Sequence, residues 1–278
     1  MKNNKNDLFL NRVKHFAYRF MPWLETVKAY CEKYDLFFIF HKGDAIGRDI
    51  AYKFGVYSED YVNCFMIKHL GLKSGGLMLD VGANIGWYSV VMAKYSGLQI
   101  YSFEPDPHNF HCLTQNIANN NIQGVHLFQN AVADRETKMK LHLYKSYNTG
   151  RHSLIDHGKT GKYVEVDTVT IDGFMQKQGL AGQPVELFKI DIEGFEMAAF
   201  RGATETLKNT RFVFSEFSPE IMASIHEGPA NFTDLFEKLG FEAYMIKGED
   251  NAVKVDHQEL RAYKQGVHNI LWSRTVIA

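Results

Sequence analysis

Leu77-Met78-Leu79-Asp80-Val81-Gly82-Ala83-Asn84-Ile85-Gly86-Trp87-Tyr88-Ser89 is the stretch whose reading decides the fold of this 278-residue chain. A short apolar run ends on a carboxylate, turns on two glycines and passes into Val90-Val91-Met92-Ala93-Lys94, which reads as helix. A buried parallel strand running through a glycine turn into a helix opens a doubly wound nucleotide-binding fold. A second apolar run, Leu98-Gln99-Ile100-Tyr101-Ser102-Phe103, stops at Glu104. An acid at that distance stands at the tip of the neighbouring strand, placed to accept hydrogen bonds from ribose hydroxyls.

The glycines bear on which nucleotide. A dinucleotide site uses Gly-x-Gly-x-x-Gly, because the backbone must approach a pyrophosphate at the helix N-terminus. Here the turn reads Gly82-Ala83-Asn84-Ile85-Gly86, with Asn84 where the middle glycine would stand and Asp80 just below it, a poor neighbour for phosphates. A ligand with an adenosine end and an amino-acid end fits better, with Asp80 facing its ammonium group. S-adenosylmethionine is such a ligand; an NAD site is the competing reading of the motif.

Asp80-Val81-Gly82-Ala83-Asn84-Ile85-Gly86 with Ser89, followed by Phe103-Glu104-Pro105-Asp106-Pro107 with Leu113 and Asn116, resembles the FkbM family of S-adenosylmethionine-dependent methyltransferases. Lys189-Ile190-Asp191-Ile192-Glu193-Gly194-Phe195-Glu196, then Gly202-Ala203, Glu216 and Pro219, extend the likeness over about residues 44 to 217. The resemblance implies a Rossmann-like class I methyltransferase fold: an α/β domain with a mostly parallel seven-stranded sheet and helices on both faces. It also implies O-methylation, commonly of sugars or natural-product hydroxyls. The cofactor set drawn from these motifs is Asp80, Gly82, Ala83, Asn84, Gly86, Tyr88, Ser89, Glu104, Pro105 and Asp191.

A formal charge of -1 gives no general electrostatic reason to bind nucleic acid or an anionic membrane. Cys31, Cys64 and Cys112 are widely spaced, form no metal-ligand pattern and point to a reducing compartment. No apolar run approaches membrane-spanning length, so cytoplasm is the default location. Among the twelve histidines no pair has convincing metal-ligand spacing.

From Val13, the apolar positions Phe16, Ala17, Phe20, Leu24 and Val27 recur at helical spacing, with Pro22 opening a second helix. Arg12, Lys14, Arg19 and Lys28 form the polar side. These residues read as an N-terminal helical cap over 1–73, laid on a methyltransferase domain over 74–278 or on a second subunit as a homo-oligomer contact. A membrane or an acidic partner is the other reading of the basic face. Leu36-Phe37-Phe38-Ile39-Phe40 reads as a strand, and Ser58 as the cap of a helix reaching Leu70. In the family this segment helps to cover the cofactor, which draws attention to Tyr57 and His69.

Asp106 caps the next helix, with Pro107 at its first position. Val125-His126-Leu127-Phe128 is the third strand, and Asn130 with the backbone of Ala131 at its tip is read as the adenine contact. Met139–Tyr144 and Tyr163–Val169 alternate as paired strands around a polar excursion containing Arg151, His152 and Ser153. A long loop inside a compact domain is a lid or a binding loop, so acceptor recognition is expected there: His152 and Ser153 for hydroxyls, Arg151 for an anionic group. Glu186–Asp191 and Arg211–Glu216 are the fourth and fifth strands. Ala243–Ile246 and Val267–Trp272 complete the sheet as an antiparallel pair.

The cofactor supplies a sulfonium methyl group; the protein must align an acceptor oxygen and help remove its proton. Asp191 is the first choice of base, Glu193 the second, with His152 or His226 as alternatives. Asp191 and Glu216 end neighbouring strands, where two carboxylates can share a proton or bind Mg²⁺ with an acceptor hydroxyl; no metal ligand is assigned. Glu193 is read at a helix N-terminus, ionised by the dipole. The expected activity is methyl transfer to a hydroxyl of a small molecule or glycan by in-line displacement. Methylation of RNA or protein, and a non-catalytic cofactor-binding scaffold, are the alternatives.

Overall fold

A computed structural model describes residues 25–53, 55–144, 151–156, 158 and 160–277. The helical pattern over 13–24, and the contacts inferred for it, lie outside these residues.

Two strands read from their apolar runs form the middle of the main sheet. Strand β3 (Leu77–Val81) and strand β9 (Val185–Ile190) are buried at every position, as strands covered on both faces must be. Around them an eight-stranded sheet runs in the order β12-β11-β13-β10-β9-β3-β4-β5. Its other members are β4 (Gln99–Phe103), β5 (Val125–Phe128), β10 (Thr210–Phe217), β11 (Glu242–Gly248), β12 (Asn251–Val255) and β13 (His268–Ser273). The strands β5, β4, β3, β9 and β10 are mutually parallel. Strand β13 then inserts antiparallel between β10 and β11. Seven of the eight are the expected ones. The eighth, β12, pairs antiparallel with the outer side of β11 through a turn at Glu249-Asp250.

Alternation along the strands sorts side chains into two hydrophobic layers. Met78, Ile100, Leu187, Phe212 and Phe214 face one layer; Leu79, Val81, Phe103, Phe188, Ile190 and Val213 face the other. The same period of two puts Asp80 and Lys189 on the face of Met78 and Leu187. They are direct register partners, and Ser102 lies opposite Asp80 on its other side. A row of polar residues thus crosses three strands beneath the glycine turn.

The segment before β3 is not all helical in its described part. Thr26–Cys31 (β1) and Leu36–His41 (β2) form an antiparallel hairpin, followed by one helical turn, α1 (Ala45–Arg48), and helix α2 (Asp60–His69). Val27 and Lys28 therefore belong to a strand. Val27, Ala29 and Cys31 alternate inward with burial, and that period of two overrides the helical spacing read through Val27. Helix α2 begins two residues after Ser58; its N-cap position is Glu59, whose side chain makes no capping bond. The hairpin packs in one layer with Met78, Ile85 and Val90. Helices α3 (Trp87–Ser96) and α4 (Pro107–Asn119) follow β3 and β4, and Asp106 caps α4 by accepting from the backbone N–H of His108 and Asn109. Two side-chain amides, one in α4 and one at its C-terminal cap, hold the edge of β2: Asn116 bonds the N–H and C=O of Ile39 at 2.6 and 2.9 Å, and Asn120 those of Phe37 at 2.8 and 2.7 Å.

A second sheet has β8 (Tyr163–Val169) between β6 (Ala131–Val132) and β7 (Lys138–His142). It carries the excursion that contains Arg151 to Leu154 back toward the main sheet. His142 and Ser153 form an isolated antiparallel bridge there.

Candidate active site

One cavity of about 420 Å³ opens beyond the carboxyl ends of β3, β4, β9 and β10, where ligands of open α/β sheets bind. That volume lies in the usual range of roughly 300–1,000 Å³ for small-ligand sites. The glycine turn forms its floor. Gly82 has φ +75, and a Cβ there would sit 1.9 Å from the backbone oxygen of Asp191. Asn84, standing where a dinucleotide motif has glycine, adopts φ 51, a left-handed conformation that asparagine tolerates better than most residues.

Glu104 lies on the cavity wall at the end of β4 and is buried. Its two oxygens accept from the backbone N–H of Asp106 and Asn84, each at 2.8 Å. Burial nevertheless pushes its carboxyl up to about 8, against the opposing pull of those bonds. Pro105, Asn130 and Ala131 line the same end, as do Gly82, Ala83, Asn84 and Tyr88. Three members of the expected cofactor set do not reach the wall. Gly86 starts α3 at φ 88, packed against Leu113. Ser89 turns inward, donating to Asp80 at 2.5 Å and meeting the Ser102 hydroxyl at 2.8 Å. Asp80 is fully buried below the turn, 3.3 Å from the Lys189 ammonium. Its charge is therefore neutralised from within, so it neither faces a ligand ammonium nor repels phosphate.

Lys189 joins the floor of the cavity to the row of polar residues beneath it. Its Nζ donates to the carbonyl of Gly82 at 2.8 Å and lies 5.2 Å from the centre of the Tyr88 ring. The neighbouring carboxylates of Asp80 and Asp191 raise its pKa against the cost of burial.

At the opposite end stand Asp191, Glu193 and Glu216, with one oxygen of each within 4.8 Å of the others. Glu193 is not in a helix. It sits at φ 54 in the turn before helix α5 (Glu196–Arg201), because the Glu196 carboxylate accepts from the N–H of Ile192 and Gly194 and folds the chain there. Burial and the nearby Asp191 push Glu193 up to about 8, while Arg151, 3.6 Å away, pulls the other way. The dipole argument for an ionised Glu193 fails for want of a helix. Glu216 is raised well above the carboxylate range by burial, then by Asp191 and Glu193, and it is hydrogen-bonded to Asp191.

The excursion closes over this end. Ser153 donates to the backbone oxygen of Glu193 at 2.9 Å, and Arg151 is engaged with Glu193. His152 lines the cavity, yet its Nδ1 accepts from the Tyr144 N–H at 2.9 Å. The neutral ring then carries its proton on Nε2, and burial lowers its pKa. His152 offers a donor to a ligand, not a base. His226 ends a helix at φ 60 and is absent from the cavity wall.

The pre-core segment supplies a wall through Ala45, Ile46, Asp49, Tyr57 and Glu59. His69 instead pairs with Asp250 on the surface at 3.0 Å. Glu59 stands at the N-cap position of α2, and nothing in the sequence marks it as a cavity residue. It faces the cavity beside Tyr88, bonded to Asn269, and burial with Asp191 pushes it to about 7. Asn84 Oδ1 and Trp87 Nε1, on residues of the same wall, are buried without a hydrogen-bond partner among the described residues.

A parallel sheet continued by an inserted antiparallel strand, with an acid at the tip of its second strand and a glycine turn after its first, defines a class I methyltransferase. The sequence profile described as the methyltransferase FkbM domain matches residues 80–263. The chain belongs to that family. It is 26% identical over 179 residues to methyltransferase sdnD of Sordaria araneosa, covering 54% of this chain and 68% of that protein. It is 25% identical over 171 residues to the 2-O-methyltransferase NoeI of Sinorhizobium fredii, covering 56% and 68%. With the hexuronic acid methyltransferase AglP of Haloferax volcanii it shares 24% over 183 residues, covering 64% and 69%. No described helix is long and apolar enough to cross a membrane.

Proposed function

We propose that this protein transfers the methyl group of S-adenosylmethionine to a hydroxyl oxygen of a small molecule or glycan. The observation that carries this reading is the two-ended geometry of the cavity: a buried ribose-type acid, Glu104, at one end and a cluster of acids, Asp191, Glu193 and Glu216, at the other. Glu104 faces the ribose, and Asn130 and Ala131 the adenine. Glu59, not Asp80, meets the ammonium of the methionine tail. The orphaned Asn84 Oδ1 and Trp87 Nε1 are the sort of groups a polar ligand would satisfy.

Six carboxylates line the cavity, Asp49, Glu59, Glu104, Asp191, Glu193 and Glu216, against two cations, Lys189 and Arg151. Both cations already have carboxylate partners. A cofactor of net charge +1 suits that lining, because a bound cation favours ionisation of acids that burial alone keeps protonated. A phosphodiester backbone does not, since nucleic acid binding draws on free lysine and arginine. The same pairing argues against Arg151 as an anion clamp. The names of NoeI and AglP, a 2-O-methyltransferase and a hexuronic acid methyltransferase, support sugar hydroxyls as acceptors.

Holding the hydroxyl in line with the carbon–sulfur bond supplies the larger part of the rate, ~7–11 kcal/mol in oriented systems. Asp191 takes the proton, with Glu216 as its partner. Residues 25–73 act as a cap on the domain that follows from residue 74. Incubation with methyl-labelled S-adenosylmethionine and a panel of sugars, nucleotide sugars, natural-product alcohols, RNA and protein tests the reading. Label in a low-molecular-weight or glycan hydroxyl is expected; label in RNA or protein alone overturns it.

A further inference from the structure

Glu59 precedes α2 at a position where a side chain would cap the helix, yet it caps nothing and faces the cavity instead. Two neutral donors meet it there. The Tyr88 hydroxyl stands 3.4 Å away, long for a bond between oxygens, and the side-chain amide of Asn269 supplies the stronger contact. The cavity's two cations, Lys189 and Arg151, are paired with Asp80 and Glu193. Among the described residues, no ammonium or guanidinium lies within ion-pair distance of Glu59.

The sheet explains how Asn269 comes to serve this acid. In the antiparallel pairing of β13 with β10, Asn269 lies opposite Glu216 and His268 opposite Phe217, so the side chains of Asn269 and Glu216 share a face. The Glu216 carboxyl is hydrogen-bonded to Asp191, and the Asn269 amide goes to Glu59. Asn269 itself is absent from the cavity wall.

That division sets the charge of Glu59. Tyr57 and Tyr61 face it from its own segment, Tyr88 from α3, Lys189 and Asp191 from β9 and the residue after it, and Asn269 from β13. Burial and Asp191 push its carboxyl up to about 7, while the bonds from Asn269 and Tyr88 and the more distant Lys189 pull it down. Donated N–H bonds favour the ionised form of an acid, so Asn269 keeps Glu59 within reach of ionisation near neutral pH. A carboxylate held among neutral donors in a cavity is completed by a cation from outside. The methionine tail of the cofactor carries one.

We propose that Asn269 is a positioning residue for the cofactor: from β13, its amide holds the Glu59 carboxylate toward the ammonium of the methionine tail. The inference rests on the methyl-transfer reading and deepens it. Asn269 touches neither cofactor nor acceptor and acts through Glu59, so its loss changes how the amino-acid end is gripped and leaves the adenosine end alone.

The full chain is titrated by calorimetry with S-adenosylhomocysteine and with 5′-methylthioadenosine, which keeps the adenosine and the sulfur but lacks the amino-acid end. Between about pH 5.5 and pH 8 the ratio of the two affinities reads the grip on that end, since Glu104 and the acids facing the sulfur act on both ligands alike. In the parent the ratio should rise with pH through about 7, as Glu59 loses its proton, and then level off. Glu59→Gln should weaken S-adenosylhomocysteine by about 10-fold or more near pH 8, abolish the rise and leave 5′-methylthioadenosine nearly unchanged. Asn269→Ala should move the midpoint of the rise up by about 1 pH unit, whereas a merely structural role would weaken both ligands at every pH. Thermal melting checks folding, and if Asn269→Ala does not fold, Asn269→Ser, which also removes the amide, carries the same expectation. A parent ratio flat with pH, or a Glu59→Gln chain that loses both ligands equally or neither, overturns the ammonium contact and this inference with it. A midpoint unmoved in a folded Asn269 variant overturns the positioning role; either result leaves the methyl-transfer reading standing. A parent that binds neither nucleoside removes that reading and the inference together.

Discussion

Replacing Glu104 by glutamine tests the ribose end of the cavity through stability as well as binding. The folded carboxyl is pushed from 4.5 up to about 8 by burial. Its folded pKa is thus raised: below about pH 4.5 both states hold the proton, and between 4.5 and 8 the folded chain keeps a proton the unfolded chain has released. Stability therefore falls as pH rises through that window. Each pH unit inside it is worth about 1.4 kcal/mol, so from about pH 5 to about pH 7.5 the carboxyl costs roughly 3 kcal/mol that an amide does not. The amide has its own cost. Glutamine keeps one oxygen for the N–H of Asp106 or Asn84, and its NH₂ then meets the other N–H, a loss of about 1–3 kcal/mol at any pH. Glu104→Gln should be the less stable chain near pH 5 and draw level with or pass the parent near pH 7.5. Urea unfolding of both chains across that range, without cofactor, reads the difference directly, since all other titrations cancel. Above about pH 8, where the parent carboxylate is charged, the variant should bind S-adenosylhomocysteine more than about 10-fold more weakly, having lost a charged acceptor worth about 1.5–3 kcal/mol per hydrogen bond; the gap should narrow as pH falls and Glu104 takes up its proton. A stability difference that is flat with pH would refute the account of a desolvated acid held ready for a ligand.

Other perturbations follow from the same geometry. Gly82→Ala places a Cβ in left-handed backbone and against the Asp191 carbonyl; about 1–2 kcal/mol of conformational cost plus about 1–3 kcal/mol of overlap should appear in urea unfolding, and a loss below about 1 kcal/mol contradicts it. Lys189→Met strands the buried Asp80 charge and should cost about 3–5 kcal/mol; adding Asp80→Asn should recover a substantial part, and a double variant no better than the single one argues against the pair. Asp191→Asn should lower kcat by about 10²–10⁴-fold and shift S-adenosylhomocysteine affinity far less, as measured by steady-state kinetics and calorimetry. Normal turnover would remove Asp191 as the base.

The strand–turn–helix from Leu77 and the capped helix after Glu104 were legible because local chemistry fixes them: an apolar run, a left-handed turn, an N-cap followed by proline. The destination of Asp80 was not. Its side chain points the way the pleat sends it, and only the register of β3 against β9 shows that Lys189 is waiting there. Strand β12 carries no such signal, because Asn251–Val255 is an edge strand with one buried residue and lacks the apolar run of the interior strands. Glu193 reads as a helix-start acid but is not one, and Glu59, which does stand at a helix start, carries no sign in the sequence that it faces the cavity. In one case a buried Glu196 ties the chain into a turn, and in the other Asn269, distant in sequence, turns the side chain to the cavity. The acids at the ends of β9 and β10 were read correctly as neighbours, since adjacent parallel strands end side by side.

Asn116 and Asn120 imitate a third strand beside the hairpin, each presenting an amide donor and acceptor to one backbone residue of β2. A free strand border is a template on which another chain can polymerise. By satisfying it from a helix, the protein keeps an aromatic-rich ribbon beside the cavity wall from recruiting its own copies, and does so with side chains that ask nothing of the ribbon's sequence.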